Sequence, residues 1–405
     1  MSFQQALSGL TAASQQLDTI GNNIANASTV GYKDVRTEFA DVYASSVWGS
    51  SQNQIGIGVD VSAVTPEFTQ GNITTTGNPL DIAINGNGFF QELNNGITTY
   101  SRDGEFSLSS NGTVVSPTGG EVLGYPSVNG VISNSPPQPI TLSEAPVPPS
   151  ATTTASVSLN LDSNDTAAVT PFSTTDSTTY NTSTAQTVYD SQGNSHTIEY
   201  YFAKTSANNW SVYATADGTA LNGGAAVGTL TFSNTGALAA TTTMNLSIPV
   251  TTGAATPMAV ALSFPASGTT QYGSASAVSA NTQNGYATGQ LSGFQISADG
   301  VISGEYTNGQ TLNLAQIALA NFTNPQGLIA QGNNQFQQSE ASGAPIVGAP
   351  GTGSLGGVQS GALESSTVDI TTELVNMITA QRVYQANAET VKTEDQVEQT
   401  LMNLR

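Results

Sequence analysis

Phe3-Gln4-Gln5-Ala6-Leu7-Ser8-Gly9-Leu10 opens the chain, and Leu17-Asp18-Thr19-Ile20-Gly21-Asn22-Asn23-Ile24 carries the pattern on. Its apolar residues Phe3, Leu7, Leu10, Leu17 and Ile24 advance by fours and threes, the step of a heptad seam on a helix. Ser14 and Gly21 are the weak positions of that seam. The far end repeats the pattern with Ile370, Leu374, Met377, Tyr384, Ala388 and Val391, then Val397, Leu401 and Leu404 after a slip of phase. Between these ends lies a long interior of Gly, Thr, Ser and Asn with short β-like runs. The expected class is a multidomain α+β protein in which the terminal helices form a coiled-coil-like pair around nested β-rich domains. Matched helical ends imply a subunit whose termini meet each other and other copies.

Composition narrows the function. Only 9% of the 405 residues are charged, and 28 acidic against 7 basic side chains give a formal net charge of −21. No basic residue stands between Lys204 and Arg382. Such a field repels phosphate backbones and anionic membrane surfaces, so neither nucleic acid nor direct membrane insertion is expected. Lopsided charge also accompanies disorder, but 38% hydrophobic residues and regular strand patterns favour folded domains. The chain has no cysteine, which excludes disulfides, thiolate metal sites and thiol catalysis. The N-terminus lacks the basic leader and unbroken apolar core of a signal peptide, and no run reaches the length of a membrane span.

Strand grammar begins at Val59, where Val59, Val61 and Ala63 alternate with polar residues. Leu80-Asp81-Ile82-Ala83-Ile84, then Asn85-Gly86-Asn87-Gly88 and Phe89-Phe90, read as a hairpin signal. Pro136-Pro137 and Pro146-Val147-Pro148-Pro149 mark a boundary. Thr/Ser/Ala-rich strands follow, among them Thr197-Ile198-Glu199-Tyr200-Tyr201-Phe202 and Trp210-Ser211-Val212-Tyr213. After Gln283-Asn284-Gly285-Tyr286 the strand style of the segment before the prolines returns. The order is a palindrome, which predicts nesting. Residues 1–30 with 363–405 form a helical polymerisation domain, and 31–77 with 340–362 an irregular linker region. An inner β-domain takes 78–148 with 285–339, and 149–284 is an outer all-β domain inserted in it. A Ser2 cap with Gln5 at capping-box spacing starts the first helix, and Ser366 with Asp369 starts the last. Arg405 suits the negative end of the last helix's dipole. A helix of about 25 residues, about 37 Å long, is marginal alone in water, so the ends are expected to order on assembly.

Candidate chemistry is sparse. His196, the one histidine, lies in Asp190-Ser191-Gln192-Gly193-Asn194-Ser195-His196 and reads as an exposed turn residue; a triad is defined by geometry, not by nearness in sequence. One imidazole cannot complete a zinc site, and Asp162, Asn164 and Asp165 lack the spacing of a calcium loop. Gly86-Asn87-Gly88 is too short for a phosphate loop. Glu364 with Asp369, and Glu394 with Asp395, read as capping and solvation. Tyr200, Tyr201, Phe202, Trp210 and Tyr213 read as strand packing. No enzyme activity, metal or cofactor is expected.

Three long blocks carry a resemblance. The first is Ala6-Leu7-Ser8-Gly9-Leu10 with Leu17-Asp18-Thr19-Ile20-Gly21-Asn22-Asn23-Ile24-Ala25-Asn26 and Thr29-Val30-Gly31-Tyr32-Lys33. The second is Thr76-Gly77-Asn78-Pro79-Leu80-Asp81-Ile82-Ala83-Ile84-Asn85-Gly86-Asn87-Gly88-Phe89-Phe90. The third is Gly361-Ala362-Leu363-Glu364 with Val368-Asp369, Glu373-Leu374-Val375-Asn376-Met377-Ile378 and Gln381-Arg382-Val383-Tyr384-Gln385-Ala386-Asn387-Ala388. Together they resemble the axial proteins of the bacterial flagellum, the rod, hook and hook-associated family. The large insertion at about 150–284, with Tyr189-Asp190-Ser191-Gln192-Gly193-Asn194 inside it, is similar to the hook branch; a distal rod or other axial subunit is the alternative, and a secreted β-rich adhesin a more distant one. The resemblance implies a homopolymer, a curved flexible tube acting as universal joint between motor and filament. It implies polymerisation through Phe3, Leu7, Leu10, Leu17, Ile24, Ile370, Leu374, Met377, Tyr384, Val391 and Leu401. The implied partners are the distal rod, the hook cap, the hook-filament junction protein and the flagellar type III export apparatus. The location implied is the extracellular hook and basal body, reached without a cleaved signal peptide. Phe39 and Tyr43 stand where the family carries an export motif. Gln52 to Gly58 is given no role.

Overall fold

A computed structural model describes residues 2–43, 56–143, 145–169 and 171–403. The chain forms two compact units: Met1–Ser143 with Gly293–Glu305 and Thr311–Arg405, and Glu144–Ser292 with Tyr306–Gln310.

The first unit holds both long helices, α1 (Ser2–Ala25) and α2 (Ile370–Asn403). At 1.5 Å per residue they are about 36 and about 51 Å long. Asp369 caps α2: its Oδ1 accepts from the backbone N–H of Thr371 (2.8 Å) and Thr372 (3.4 Å), which satisfies orphan donors at the helix start. In α1 the Gln5 side-chain amide donates to the carbonyl of Gly56. The Ser2 side chain, Leu401's side chain, Leu404, Arg405 and Gln52 to Ile55 lie outside the described residues. After α1, β1 (Val35–Val42) and β2 (Gly58–Pro66) pair as an antiparallel ribbon with a bulge between Glu38 and Phe39.

The unit's β-body is built from strands far apart in sequence. Glu121–Val128 pairs with Phe89–Asn94 and with the returning strand Thr311–Ile317; Leu319 pairs back onto Phe90, and Phe336 onto Tyr100. The Asn85-to-Gly88 segment departs from the expected hairpin. Ile82–Asn85 pairs with Gly357–Ser360, whereas Phe89–Asn94 joins the larger sheet. Gly86 and Gly88 have φ of +112° and +128°, and they let the chain step from one sheet to the other. The hairpin turn falls at Asn95-Gly96, both at positive φ as a two-residue turn requires. Phe68, Phe89, Tyr100, Phe322 and Phe336 meet edge-on at 4.8–6.3 Å between ring centres.

A buried charge cluster ties this unit's segments together. Glu364, fully buried, accepts from Lys33 Nζ (2.7 Å) and the Gly71 backbone N–H (2.7 Å) on one oxygen, and from Arg102 Nη1 (3.2 Å) on the other. Lys33 also donates to the Thr69 carbonyl (2.6 Å), and Arg102 to the Gly86 carbonyl (2.8 Å) with its guanidinium over Phe89. The Glu364 carbonyl accepts from Gly31 (2.8 Å). Gly31 has φ +68°, and a Cβ there would stand 2.6 Å from the Arg102 carbonyl carbon. Burial pushes Lys33 and Arg102 below their ordinary ranges, and Glu364 pulls both back. The expectation of Glu364 as a solvated capping residue is therefore corrected. Only Asp369 caps; Glu364 is the anion that two buried cations require.

The second unit is a β-sandwich. One sheet contains Thr182–Tyr189, Ser195–Ser206 and Asn209–Ala216; the other contains Thr154–Asp162, Thr242–Ile248 and Met258–Phe264. Alternate residues Ile198, Tyr200 and Phe202 face Val157, Leu159, Val260, Leu262 and Phe264 in one core, with Trp210 fully buried. The Asp162–Asp165 loop places its carbonyls around a cation of the chain's own: Lys204 Nζ donates to Ser163 O (2.7 Å) and Asp165 O (2.8 Å).

Replacing Glu364 with Ala leaves two buried cations unpaired. The expected cost is roughly 3–5 kcal/mol, seen as a clear drop in the urea midpoint; an unchanged midpoint would contradict the role given to this cluster.

Candidate functional site

The two helices run antiparallel. Gly9 near the start of α1 sits against Asn387 well along α2, whereas Tyr32, just past the end of α1, feels the charge of Glu373 at the start of α2. Buried residues recur at heptad spacing, with Ala6, Ala13 and Ile20 on α1 and Glu373 and Ala380 on α2, in step with Asn387, and the Ala and Gly positions among them are small. Backbones approach closely where side chains are short. A Cβ on Gly9 would stand 2.9 Å from Asn387 Nδ2. Gly21, by contrast, has open space where its Cβ would be.

The rows expected as seams lie to one side of this contact on each helix: the Phe3 and Ile370 rows are three residues and about 60° away, and Leu7 and Leu374 one residue and about 100° away. Phe3 and Leu7 are 47% and 49% exposed, and Ile370 and Leu374 are 48% and 46% exposed. Tyr384 is also exposed, while Leu10, Leu17, Ile24, Met377 and Val391 are half-buried along the edges of the pair. Because the helices are antiparallel, rotation of the same sense on each brings both apolar rows to one side. Gln5, Ser8, Thr19 and Asn23 point the other way, to the β1–β2 side. The helical ends thus meet through their small-residue faces, and the large apolar side chains form a separate face. Burying one such side chain contributes roughly 1.5–3 kcal/mol, a driving force that a single chain leaves unused.

The base of the pair is fastened by the polar residues of its sequence blocks. Asn23, buried, donates to the Val35 carbonyl (2.9 Å) and to Asp34, and accepts from Val35 N (3.2 Å). Tyr32 directs its hydroxyl at the side-chain oxygens of Asn22 (2.9 Å) and Asn23 (3.1 Å). Its pKa is pushed up to about 12, first by burial and then by Asp34 and Glu373. Thr367 Oγ1 accepts from Asp34 N (2.8 Å), joining the entry to α2 to the exit from α1. Asn22 and Asn23 look like poor helix formers in the sequence; here they stand in the last turns of α1 and hold its exit.

Phe39 and Tyr43 are both exposed, Phe39 at the bulge of β1. His196 is not the exposed turn residue expected. It begins the strand Ser195–Ser206 on the inward-facing parity and is buried between Asp217 and Asp190. Among the described residues no group of three or more His, Cys, Asp or Glu could hold a metal ion, and no helix is long and apolar enough to cross a membrane.

The fold thus joins an antiparallel pair of terminal helices with an outward apolar face to β-rich units that lie between them in sequence. The sequence matches the families described as Flagella basal body rod protein (residues 3–33), Flagellar hook protein FlgE/F/G D1 domain (83–162), Flagellar basal body protein FlaE D2 domain (160–286) and Flagellar basal body rod FlgEFG protein C-terminal (359–404). The flagellar hook protein FlgE of Salmonella typhimurium is 44% identical over 412 residues, covering 100% of both chains. That of Escherichia coli K12 is 43% identical over 414 residues with the same coverage. The crystal structure of Helicobacter pylori flagellar hook protein FlgE2 shares the fold, with TM-score 0.52 at 15% identity over 72% of this chain and 100% of that one. The chain belongs to the flagellar hook protein family and is a hook structural subunit; the rod alternative is not favoured.

Gly9 offers a graded test of the helix contact. Gly9→Ala should be close to neutral, since the Asn387 amide can swing aside and Ala favours the helix by about 1 kcal/mol. Gly9→Leu should overpack the seam at a cost of about 1–3 kcal/mol, read as loss of the helical signal at a lower temperature. Equal melting of the two variants would contradict the close approach.

Proposed function

We propose that copies of this chain polymerise through the apolar face of the α1–α2 pair into the curved, flexible tube of the hook, which passes motor torque to the filament as a universal joint. The carrying observation is the unpartnered row of Phe3, Leu7, Ile370, Leu374 and Tyr384, flanked by half-buried Leu10, Leu17, Ile24, Met377 and Val391. Leu401 extends that row by sequence. The distal rod, hook cap, hook-filament junction protein and flagellar type III export apparatus complete the proposed partners, with Phe39 and Tyr43 as the export motif on β1 and just after it. The nested division is part of the same proposal: the helical pair builds the polymer, the inner β-domain supports it, and the 149–284 domain sets curvature through exchangeable polar contacts. A joint must let subunits slide without parting, and rigid β-domains moving as bodies meet that demand.

Leu374→Asp tests the assembly face without disturbing the single chain, because the side chain is exposed there. The variant monomer should match the parent monomer in helical signal and melting point while electron microscopy and sedimentation show no tubes; tubes at normal yield would sink the proposal. Deleting most of 150–284 should leave tubes whose curvature or stiffness differs from the parent. Complete loss of polymer on that deletion would count against the division of labour.

A further inference from the structure

We propose that His196 is carried as an imidazolium in the folded second unit, and that its proton locks the 190–194 turn, the Asp217 turn and the 249–257 loop together, so that this end of the sandwich loosens when the proton leaves. The ring is 6% exposed, with Nδ1 2.6 Å from Asp217 Oδ2 and Nε2 3.4 Å from Asp190 Oδ2. A neutral imidazole has one N–H and one lone pair, so either tautomer would set a lone pair against a carboxylate. Only the doubly protonated ring donates on both sides.

Each carboxylate is itself anchored. Asp190, fully buried, accepts from Gln192 N (2.8 Å), Asn194 N (2.9 Å), Asn194 Nδ2 (3.0 Å) and Thr252 Oγ1 (2.6 Å). Asp217 Oδ1 accepts from Thr197 N (2.9 Å). Thr252 lies between the strands Thr242–Ile248 and Met258–Phe264 of the opposite sheet, and Ala255 N donates to Ser191 Oγ (3.1 Å). The imidazolium is therefore the cationic centre of a contact between the two sheets. Asp190 and Asp217 are the charged groups facing the ring among the described residues. Lys204, the unit's one Lys or Arg, is engaged with the Ser163 and Asp165 carbonyls.

Burial alone would lower the His196 pKa, but hydrogen bonds and charge from Asp217 and Asp190 outweigh it and the net shift is upward. Asp190 and Asp217 are held below the usual carboxylate range by their hydrogen bonds, against the opposing effect of burial. A raised folded pKa gives stabilisation that is fully present below the ordinary histidine value and disappears as pH rises through the folded value.

The chain has one histidine, so its imidazole Cε1–H signal in the full-length monomer can be followed by NMR without assignment. The expected midpoint lies above the ordinary value of about 6.5, falls in Asp217→Asn, and coincides with faster amide exchange in residues 249–257. His196→Gln should abolish the alkaline loss of thermal stability that the parent shows across that midpoint. A midpoint at or below the ordinary value overturns the proposal, as does exchange in 249–257 that ignores the titration. If His196→Gln does not fold, the parent titration and exchange measurements decide the question alone.

Discussion

Segments far apart in the first unit's sequence converge on one carboxylate. Glu364 is buried with Lys33 on one oxygen and Arg102 on the other, and each cation also binds a backbone carbonyl from another segment. Ions removed from water are costly unless paired and hydrogen-bonded. The arrangement that satisfies all three charges here brings the exit of α1, the 69–71 stretch, the Gly86 and Arg102 strand ends and the approach to α2 to one point. Of the 7 basic residues in the whole chain, two are spent at this place. Glycine at position 31 follows from the same convergence, because the chain must pass against the Arg102 backbone there.

The helical pair divides its surfaces by side-chain size. Ala6, Ala13, Ala380 and Gly9 face inward along the chain's own contact, where they allow close approach, with Ile20 and Glu373 nearer the base of the pair. Large apolar side chains face outward, where a single chain gives them nothing to pack on. A protein intended to stay monomeric would bury the second set before the first. Here the internal contact positions two helices, and the outward face presents one apolar surface drawn from both termini.

Much of this was legible from residue patterns. The terminal helices, the β-rich interior and the change of composition after the prolines all follow from periodicity and turn chemistry. The heptad rows lie beside the helix contact, not in it, because spacing cannot say which of two adjacent faces meets a partner. The Ala and Gly positions of the other face carry too little hydrophobic signal to stand out. Glu364 was missed because a single acid after Ala362-Leu363 resembles a helix-start carboxylate; its cations sit far away in sequence. His196 could have been found, since it shares strand parity with Ile198, Tyr200 and Phe202, all inward-facing. Asn85 to Gly88 looked like a hairpin because Asn-Gly pairs make turns; the sheet change there depends on a strand near residue 358.

The wide sequence separation around Glu364 has a consequence for timing. Lys33 emerges early from any process that delivers the chain from its N-terminus, Arg102 later, and their shared anion only after about nine-tenths of the residues, since position 364 of 405 comes so late. Contacts spanning such distances form slowly, because loop closure must precede any return from them. Until then two cations lack their counter-charge and the strands that flank residues 357–364 have no partners. The first unit therefore cannot close on a partial chain. That unit stays open until residues 357–364 have arrived, and the last tenth of the chain acts as its latch.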